Sequence, residues 1–138
     1  MASKLLVTIP DPEAPLLLYV AASNHAVSGV LVQKKEEESK VIQQPIYYIS
    51  EALLGAKLNY IEIKKISYAV LISSRKLKHY FQAYKITVPS SQPLGDIFSN
   101  KEASGRIEKW TMELSQFEIS YVSRTTIKSQ ALADFRVN

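Results

Sequence analysis

The spacing of apolar side chains changes near residue 60, and that change limits the folds this chain can adopt. Before it, short β-compatible runs are separated by polar turns. After it, apolar residues recur at the spacing of one helix face, as Ile63, Ile66, Val70, Leu77 and Phe81. The pattern predicts a long core-facing helix over residues 60–83. Strands and helices therefore share one α/β domain.

Three strands are predicted before this helix, over residues 16–20, 26–33 and 41–50. A hairpin turn is expected at residues 23–25, and the polar residues 34–40 are expected to form a second loop. Three strands joined in this way make an antiparallel meander.

Five elements are predicted after the helix, in a different order. They are a strand over residues 85–88 that Pro89 ends, a brief helix begun by Ser91 and Pro93 that reaches Phe98, an amphipathic helix over 104–117, a strand over 118–122 and the start of a helix over 129–135. Trp110 falls on the apolar face of the amphipathic helix, which indicates core packing in preference to base stacking.

Composition excludes several classes of function. The chain has 138 residues, 46% of them hydrophobic, which is enough for one core. It has no cysteine, which excludes disulfide scaffolds, thiolate zinc sites and cysteine nucleophiles. No apolar run could span a membrane and no secretory signal is visible, so we expect an intracellular protein without a membrane partner. The net charge of +4 permits polyanion binding.

Five collinear segments resemble the ribonuclease H-like domain that follows reverse transcriptase in plant gypsy-type LTR retrotransposons. They are LYVAASNHAVSGVLVQ, QPIYYISEALLGAKLNY, RKLKHYFQAYKITV, SGRIEKWTMELSQFEISY and IKSQALADF. The resemblance covers residues 15–136 and implies an α/β ribonuclease H-like fold, in which a five-stranded mixed sheet, with three antiparallel strands first, carries helices on its faces. Residues 1–14 are then a leading segment from the preceding pol region, and residues 137–138 a tail.

Active members of that family cut the RNA strand of an RNA/DNA hybrid with two Mg²⁺ ions, which need a cluster of carboxylate ligands. The resemblance places these ligands in four motifs. In the Thr-Asp-Ala-Ser motif of the first strand the ligand is replaced by Ala21, in the Glu-Lys-Glu-Leu-Leu-Ala motif of the long helix by Ile66, and in the Thr-Asp-His motif by Ser91. Only the C-terminal Ala-Asp pair keeps its carboxylate, as Asp134.

One carboxylate cannot hold two Mg²⁺ ions against water, so we expect no metal, no cofactor and no intact catalytic site. Glu62 lies one helical turn before Ile66 and could lean toward Asp134, but two carboxylates would still be too few. His25 and His79 have no predicted acidic partner and are expected at the surface. Ser90, Ser91 and Ser104 fit capping and turn roles.

A basic flank is predicted on the long helix, because residues eleven positions apart lie almost above one another. Lys64 lies over Arg75 and Lys65 over Lys76. The flank could contact the phosphates of a hybrid, or it could be the ordinary solvated side of an amphipathic helix. Lys78, Arg106 and Lys109 would widen it if they face the same way.

The preferred hypothesis is a catalytically degenerate tether or connection domain of a retrotransposon polyprotein. Its partners would be neighbouring reverse transcriptase domains or an RNA/DNA hybrid, with no small-molecule cofactor. The alternatives are a residually active Mg²⁺-dependent ribonuclease H, an autonomous nucleic-acid-binding module and a remnant that binds only protein.

Overall fold

The computed structural model describes residues 10–99 and 105–124. In chain order the elements are β1 (Leu16–Ala22), β2 (Ala26–Glu37), β3 (Lys40–Ala52), a 3-10 helix (Gly55–Asn59), α1 (Glu62–Lys76), α2 (Lys78–Ala83), β4 (Ile86–Ser90), α3 (Leu94–Ser99), α4 (Gly105–Leu114) and β5 (Ile119–Ser123). The helix start predicted over residues 129–135 lies outside the described residues.

The five strands form one mixed sheet in the order β3-β2-β1-β4-β5. β1 pairs antiparallel with β2, and β2 antiparallel with β3. β4 runs parallel to both β1 and β5. The predicted fold class, with its initial antiparallel meander, is therefore confirmed.

The core lies between one face of this sheet and the helices. Leu16, Leu18 and Val20 alternate along β1 and share a buried cluster with Ile66 and Val70 of α1. Ile107, Trp110 and Leu114 of α4 belong to the same cluster, so the predicted inward face of that helix is confirmed. Each such side chain contributes about 1.5–3 kcal/mol by leaving water.

The prediction of a single long helix over residues 60–83 is wrong, because the helix breaks at Leu77. This residue has φ −115° and ψ 35°, outside the helical range. Just before the break, the hydroxyls of Ser73 and Ser74 donate to the Ala69 and Leu71 carbonyls, both at 2.7 Å. Serine hydroxyls that bond back to the preceding turn compete with the helical ladder and bend helices. The break separates α1 from α2 while Leu77 itself remains buried.

The loop predicted over residues 34–40 is wrong as well. β2 continues to Glu37 and β3 starts at Lys40, leaving a two-residue turn. Glu38 and Ser39 have φ of 52° and 68°, the left-handed conformation that such hairpin turns require. Neither residue is the Gly or Asn that signals this turn in a sequence.

The prediction that Pro89 ends the fourth strand is also wrong. β4 continues to Ser90, and Pro89 lies opposite Val122 of β5.

A buried glutamine holds the start of the described chain against the sheet. Gln33 Oε1 accepts the Asp11 N–H at 2.8 Å, and Nε2 donates to the carbonyls of Asp11 at 3.0 Å and Ala14 at 3.1 Å. Residues just before the predicted domain start at 15 are thus bonded to β2.

No helix in the described part of the chain is long and apolar enough to cross a membrane.

The close approach of α1 to β2 depends on Gly29. A Cβ atom at this position would overlap Ser73 Oγ and lie 3.3 Å from Leu18 Cδ1. We predict that Gly29→Ala lowers the free energy of unfolding by about 1–3 kcal/mol, because Ser73 Oγ must leave its hydrogen bond to the Ala69 carbonyl or the packed helix must shift. Urea denaturation monitored by circular dichroism measures the change.

Two variants control this prediction. Ser73→Ala in the Gly29→Ala background removes the overlapping oxygen and should recover most of the loss. In α3, a Cβ at Gly95 would lie 3.5 Å from Tyr121 Cβ, which is ordinary contact, so Gly95→Ala should be neutral or slightly stabilising. Equal effects of Gly29→Ala and Gly95→Ala would contradict the close approach.

Candidate functional site

The carboxyl ends of β1 and β4 bring two of the substituted positions to one edge of the sheet. β1 and β4 run parallel, with Leu16 beside Ile86 and Leu17 beside Thr87, so Ala21 near the end of β1 and Ser91 directly after β4 lie toward the same edge of the sheet. Both residues are exposed. Ala21 follows the buried Val20, so its side chain lies on the sheet face opposite α1.

Ile66, the third substituted position, occupies a different environment. Its side chain is 7% exposed and belongs to the core cluster that also contains Val20. The preceding residue, Lys65, extends its ammonium to within 3.4 Å of the Ser23 carbonyl, just beyond the end of β1. The first turns of α1 therefore lie near the carboxyl end of β1, but Ile66 presents a hydrocarbon to the core.

The described residues do not fit a metal ion. Among residues 10–99 and 105–124, no group of three or more His, Asp or Glu side chains could hold one. Glu62 is exposed at the first position of α1, and both His25 and His79 are exposed, as predicted. Asp134 lies outside the described residues. Ala21, Ile66 and Ser91 supply two apolar side chains and one hydroxyl, which give Mg²⁺ no charge to bind.

A cleft of about 310 Å³ opens beside Ser91, beyond the ends of β4 and β5. Ser90, Asp96, Tyr121 and Ser123 contribute to its lining. Burial raises the pKa of the Tyr121 phenol, so this group stays neutral. Among the described residues, the lining of this cleft offers hydroxyls and one carboxylate, that of Asp96, a set suited to hydrogen bonding but not to holding two divalent ions.

The four residues of the predicted basic flank have separate partners. Lys64 Nζ lies 4.4 Å from the centroid of the Tyr60 ring, while Lys65 is 8% exposed and bonded to Ser23. Arg75 donates two hydrogen bonds to Glu113 of α4, at 2.7 and 2.8 Å. Lys76 Nζ lies 3.6 Å from a Glu51 carboxylate oxygen.

The Arg75–Glu113 pair perturbs both of its members. Hydrogen bonding from Arg75 lowers the pKa of Glu113, and the same interaction raises the pKa of Arg75. The two side chains are 51% and 33% exposed, so the pair contributes little to stability. Its main effect is to neutralise one of the cations that the sequence placed on the flank.

A second network, around Glu51 of β3, has no signal in the sequence pattern. The buried Tyr68 hydroxyl donates to Glu51 Oε2, and Lys57 Nζ lies 5.0 Å from the Tyr68 ring centroid. Burial, followed by the bond to Glu51, raises the pKa of Tyr68, and hydrogen bonding with Tyr68 raises the pKa of Lys57. Since Lys76 also reaches Glu51, this carboxylate faces two lysines and a phenol.

Three aromatic rings connect α1 to α4: Tyr60 just before α1, Tyr68 within α1 and Trp110 within α4. The Tyr60 centroid lies 6.2 Å from that of Tyr68 and 6.1 Å from that of Trp110, and Tyr68 lies 5.7 Å from Trp110. Trp110 is 7% exposed, which confirms its predicted place in the core. Arg106 Nη1 donates to the Tyr60 hydroxyl at 2.8 Å, so Tyr60 contacts two cations, Lys64 and Arg106.

A carboxylate at position 66 of α1 should damage the fold. We predict that Ile66→Glu lowers the free energy of unfolding by at least about 2 kcal/mol, because it removes a buried hydrocarbon and buries a charge without a partner. Ile61→Glu is the matched control, since Ile61 directly precedes α1 and is 70% exposed. Urea denaturation should show a change of less than about 0.5 kcal/mol for the control, and equal losses would contradict the burial of Ile66.

Comparison with known proteins places this geometry in a family. The family described as the RNase H-like domain found in reverse transcriptase matches residues 11–117. The retrovirus-related Pol polyprotein from transposon 297 of Drosophila melanogaster is 31% identical over 132 residues, which are 94% of this chain and 11% of that polyprotein. The Tf2-3 transposon polyprotein of Schizosaccharomyces pombe is 30% identical over 118 residues, 80% of this chain and 9% of that one.

Solved structures agree on the fold. The foamy viral protease-reverse transcriptase in complex with double-stranded DNA superposes with a TM-score of 0.55 at 24% identity, over 83% of this chain and 24% of that one. The native prototype foamy virus protease-reverse transcriptase gives a TM-score of 0.58 at 18% identity, over 82% of this chain and 16% of that one. The chain thus spans only a small part of each relative. It belongs to the family of RNase H-like domains found in reverse transcriptases, and its relatives are retrotransposon Pol polyproteins.

Proposed function

We propose that this chain is a catalytically silent RNase H-like domain that supports the nucleic acid or the neighbouring domains of a reverse transcriptase polyprotein. The observation that carries the proposal is the replacement of acidic ligands by Ala21, Ile66 and Ser91, together with the lack of a metal-binding cluster in the described ranges. The burial of Ile66 adds support, because a hydrocarbon in the core serves the fold.

The finer origin belongs to the same proposal. The five collinear segments resemble plant gypsy-type elements, and we propose that source for the chain. We also propose that the protein is intracellular, as expected from the sequence, and that it works without a cofactor. Mg²⁺ would be the ion of active relatives, and no step of this proposal depends on it.

The proposal predicts no cleavage of an RNA/DNA hybrid. Purified protein is incubated with a hybrid labelled on its RNA strand, in Mg²⁺ and separately in Mn²⁺, beside an active ribonuclease H. We expect the RNA to remain intact, because one carboxylate cannot assemble the metal pair. The Asp134→Asn variant is the control: cleavage by the original protein that this variant loses would overturn the proposal, whereas equal cleavage by both would indicate a contaminating nuclease.

Contact with a nucleic-acid backbone is the second part of the proposal. Its support is the excess of 17 basic over 13 acidic residues and the two cations held by Tyr60. The related foamy viral enzyme has been solved with double-stranded DNA, which is consistent with such a contact.

Fluorescence anisotropy with a labelled hybrid tests this contact. Because neutralised phosphates release counterions, two phosphate contacts should weaken binding about tenfold as the salt concentration rises from about 50 to about 200 mM. A double-stranded DNA of equal length should show a similar dependence, since the interaction is with the backbone. An affinity indifferent to salt would contradict a phosphate contact.

A further inference from the structure

Tyr60 holds two positive charges in fixed places. Lys64 Nζ lies above its ring, 4.4 Å from the centroid, and Arg106 Nη1 donates to its hydroxyl at 2.8 Å. The ring is itself packed against Tyr68 and Trp110, both buried. Lys64 comes from α1 and Arg106 from α4, so the aromatic cluster that joins the two helices also brings the two cations together.

These two cations lack the carboxylate partners that Arg75 and Lys76 have. In residues 10–99 and 105–124, no carboxylate oxygen lies within the 4.0 Å ion-pair limit of Lys64 or Arg106. By contrast, Arg75 is paired with Glu113 and Lys76 with Glu51. Lys65 is almost completely buried against the Ser23 carbonyl. The predicted basic flank therefore divides into cations that the fold uses and cations that remain available.

We infer that Lys64 and Arg106, positioned by Tyr60, form a binding site for the phosphodiester backbone of a nucleic acid. Arg106 donates one N–H to the Tyr60 hydroxyl, and its remaining N–H groups can donate to two phosphate oxygens at once. Lys64 adds a point charge over the ring of the same tyrosine, Tyr60. An anion bound here would relieve the repulsion between the two cations. This inference rests on the nucleic-acid contact proposed above and assigns it to these residues.

A phosphodiester backbone suits the site better than an acidic peptide does, because the guanidinium fork matches two oxygens of one phosphate and the ammonium can contact a neighbouring phosphate. The chain also carries a net charge of +4, which favours a polyanion over a single anion. An acidic protein surface is the competing occupant, and the experiment separates the two.

The test compares two doubly substituted proteins that lose the same charge. The first is Lys64→Gln with Arg106→Gln; the control is Lys40→Gln with Lys85→Gln, which removes two exposed cations on β3 and directly before β4. Binding of a labelled RNA/DNA hybrid is measured by anisotropy across a salt series. Circular dichroism and urea denaturation establish that both proteins are folded.

We expect the first variant to bind at least about fivefold more weakly at low salt. Its plot of log affinity against log salt should be shallower by about 1.8, because two phosphate contacts at about 0.9 each are lost. The control should retain affinity within about twofold and keep its slope. Tyr60→Phe keeps the ring but removes the acceptor for Arg106, so it should weaken binding severalfold with the fold intact.

Each contrary outcome has a distinct meaning. If the original protein binds and the two double variants behave alike, the inference is overturned while a backbone contact elsewhere stands. If poly-glutamate displaces the hybrid at the same charge concentration as unlabelled hybrid does, the site is one for acidic protein and the inference is again overturned. If the original protein does not bind at low salt, both the inference and the proposed contact fail, and the cleavage result is unaffected.

Discussion

The packing of α1 against β1 and β2 is the interaction on which the rest of the structure depends. Gly29 lets the helix approach β2 so closely that a single added Cβ would overlap Ser73 Oγ. At this separation Ile66 and Val70 reach the β1 side chains and complete the core cluster. The same helix carries Lys64, Lys65, Arg75 and Lys76, so its position also decides which partner each cation can reach.

The consequences of this packing separate the fold from the chemistry of the family. In an active relative the α1 ligand would be a glutamate that converges with other carboxylates, and such like charges repel one another when the metal is absent. Here Ile66 contributes to the core, and Ala21 and Ser91 are exposed positions that the core does not need. The fold of this chain therefore needs no carboxylate at any of these three positions.

The sequence predicted the element order, the mixed sheet and the inward face of α4, because these follow from local periodicity. It could not predict the break at Leu77, since the stripe of apolar residues continues through this position and Leu77 itself is buried. The turn at Glu38 and Ser39 was missed for a similar reason: its left-handed residues are not the usual ones. Both errors arise where local chemistry departs from the commonest pattern.

The candidate site was less predictable than the fold, because charge compensation depends on tertiary partners. Helical spacing placed four cations on one flank, but Glu113, which neutralises Arg75, lies 38 positions away in the sequence. Arg106 is 46 positions from Tyr60, so no periodicity connects it to Lys64. A basic stripe becomes a binding surface only where the fold leaves its charges without carboxylate partners. In the described chain that condition is met beside Tyr60, where the contact between α1 and α4 that buries Trp110 also holds the two cations in place.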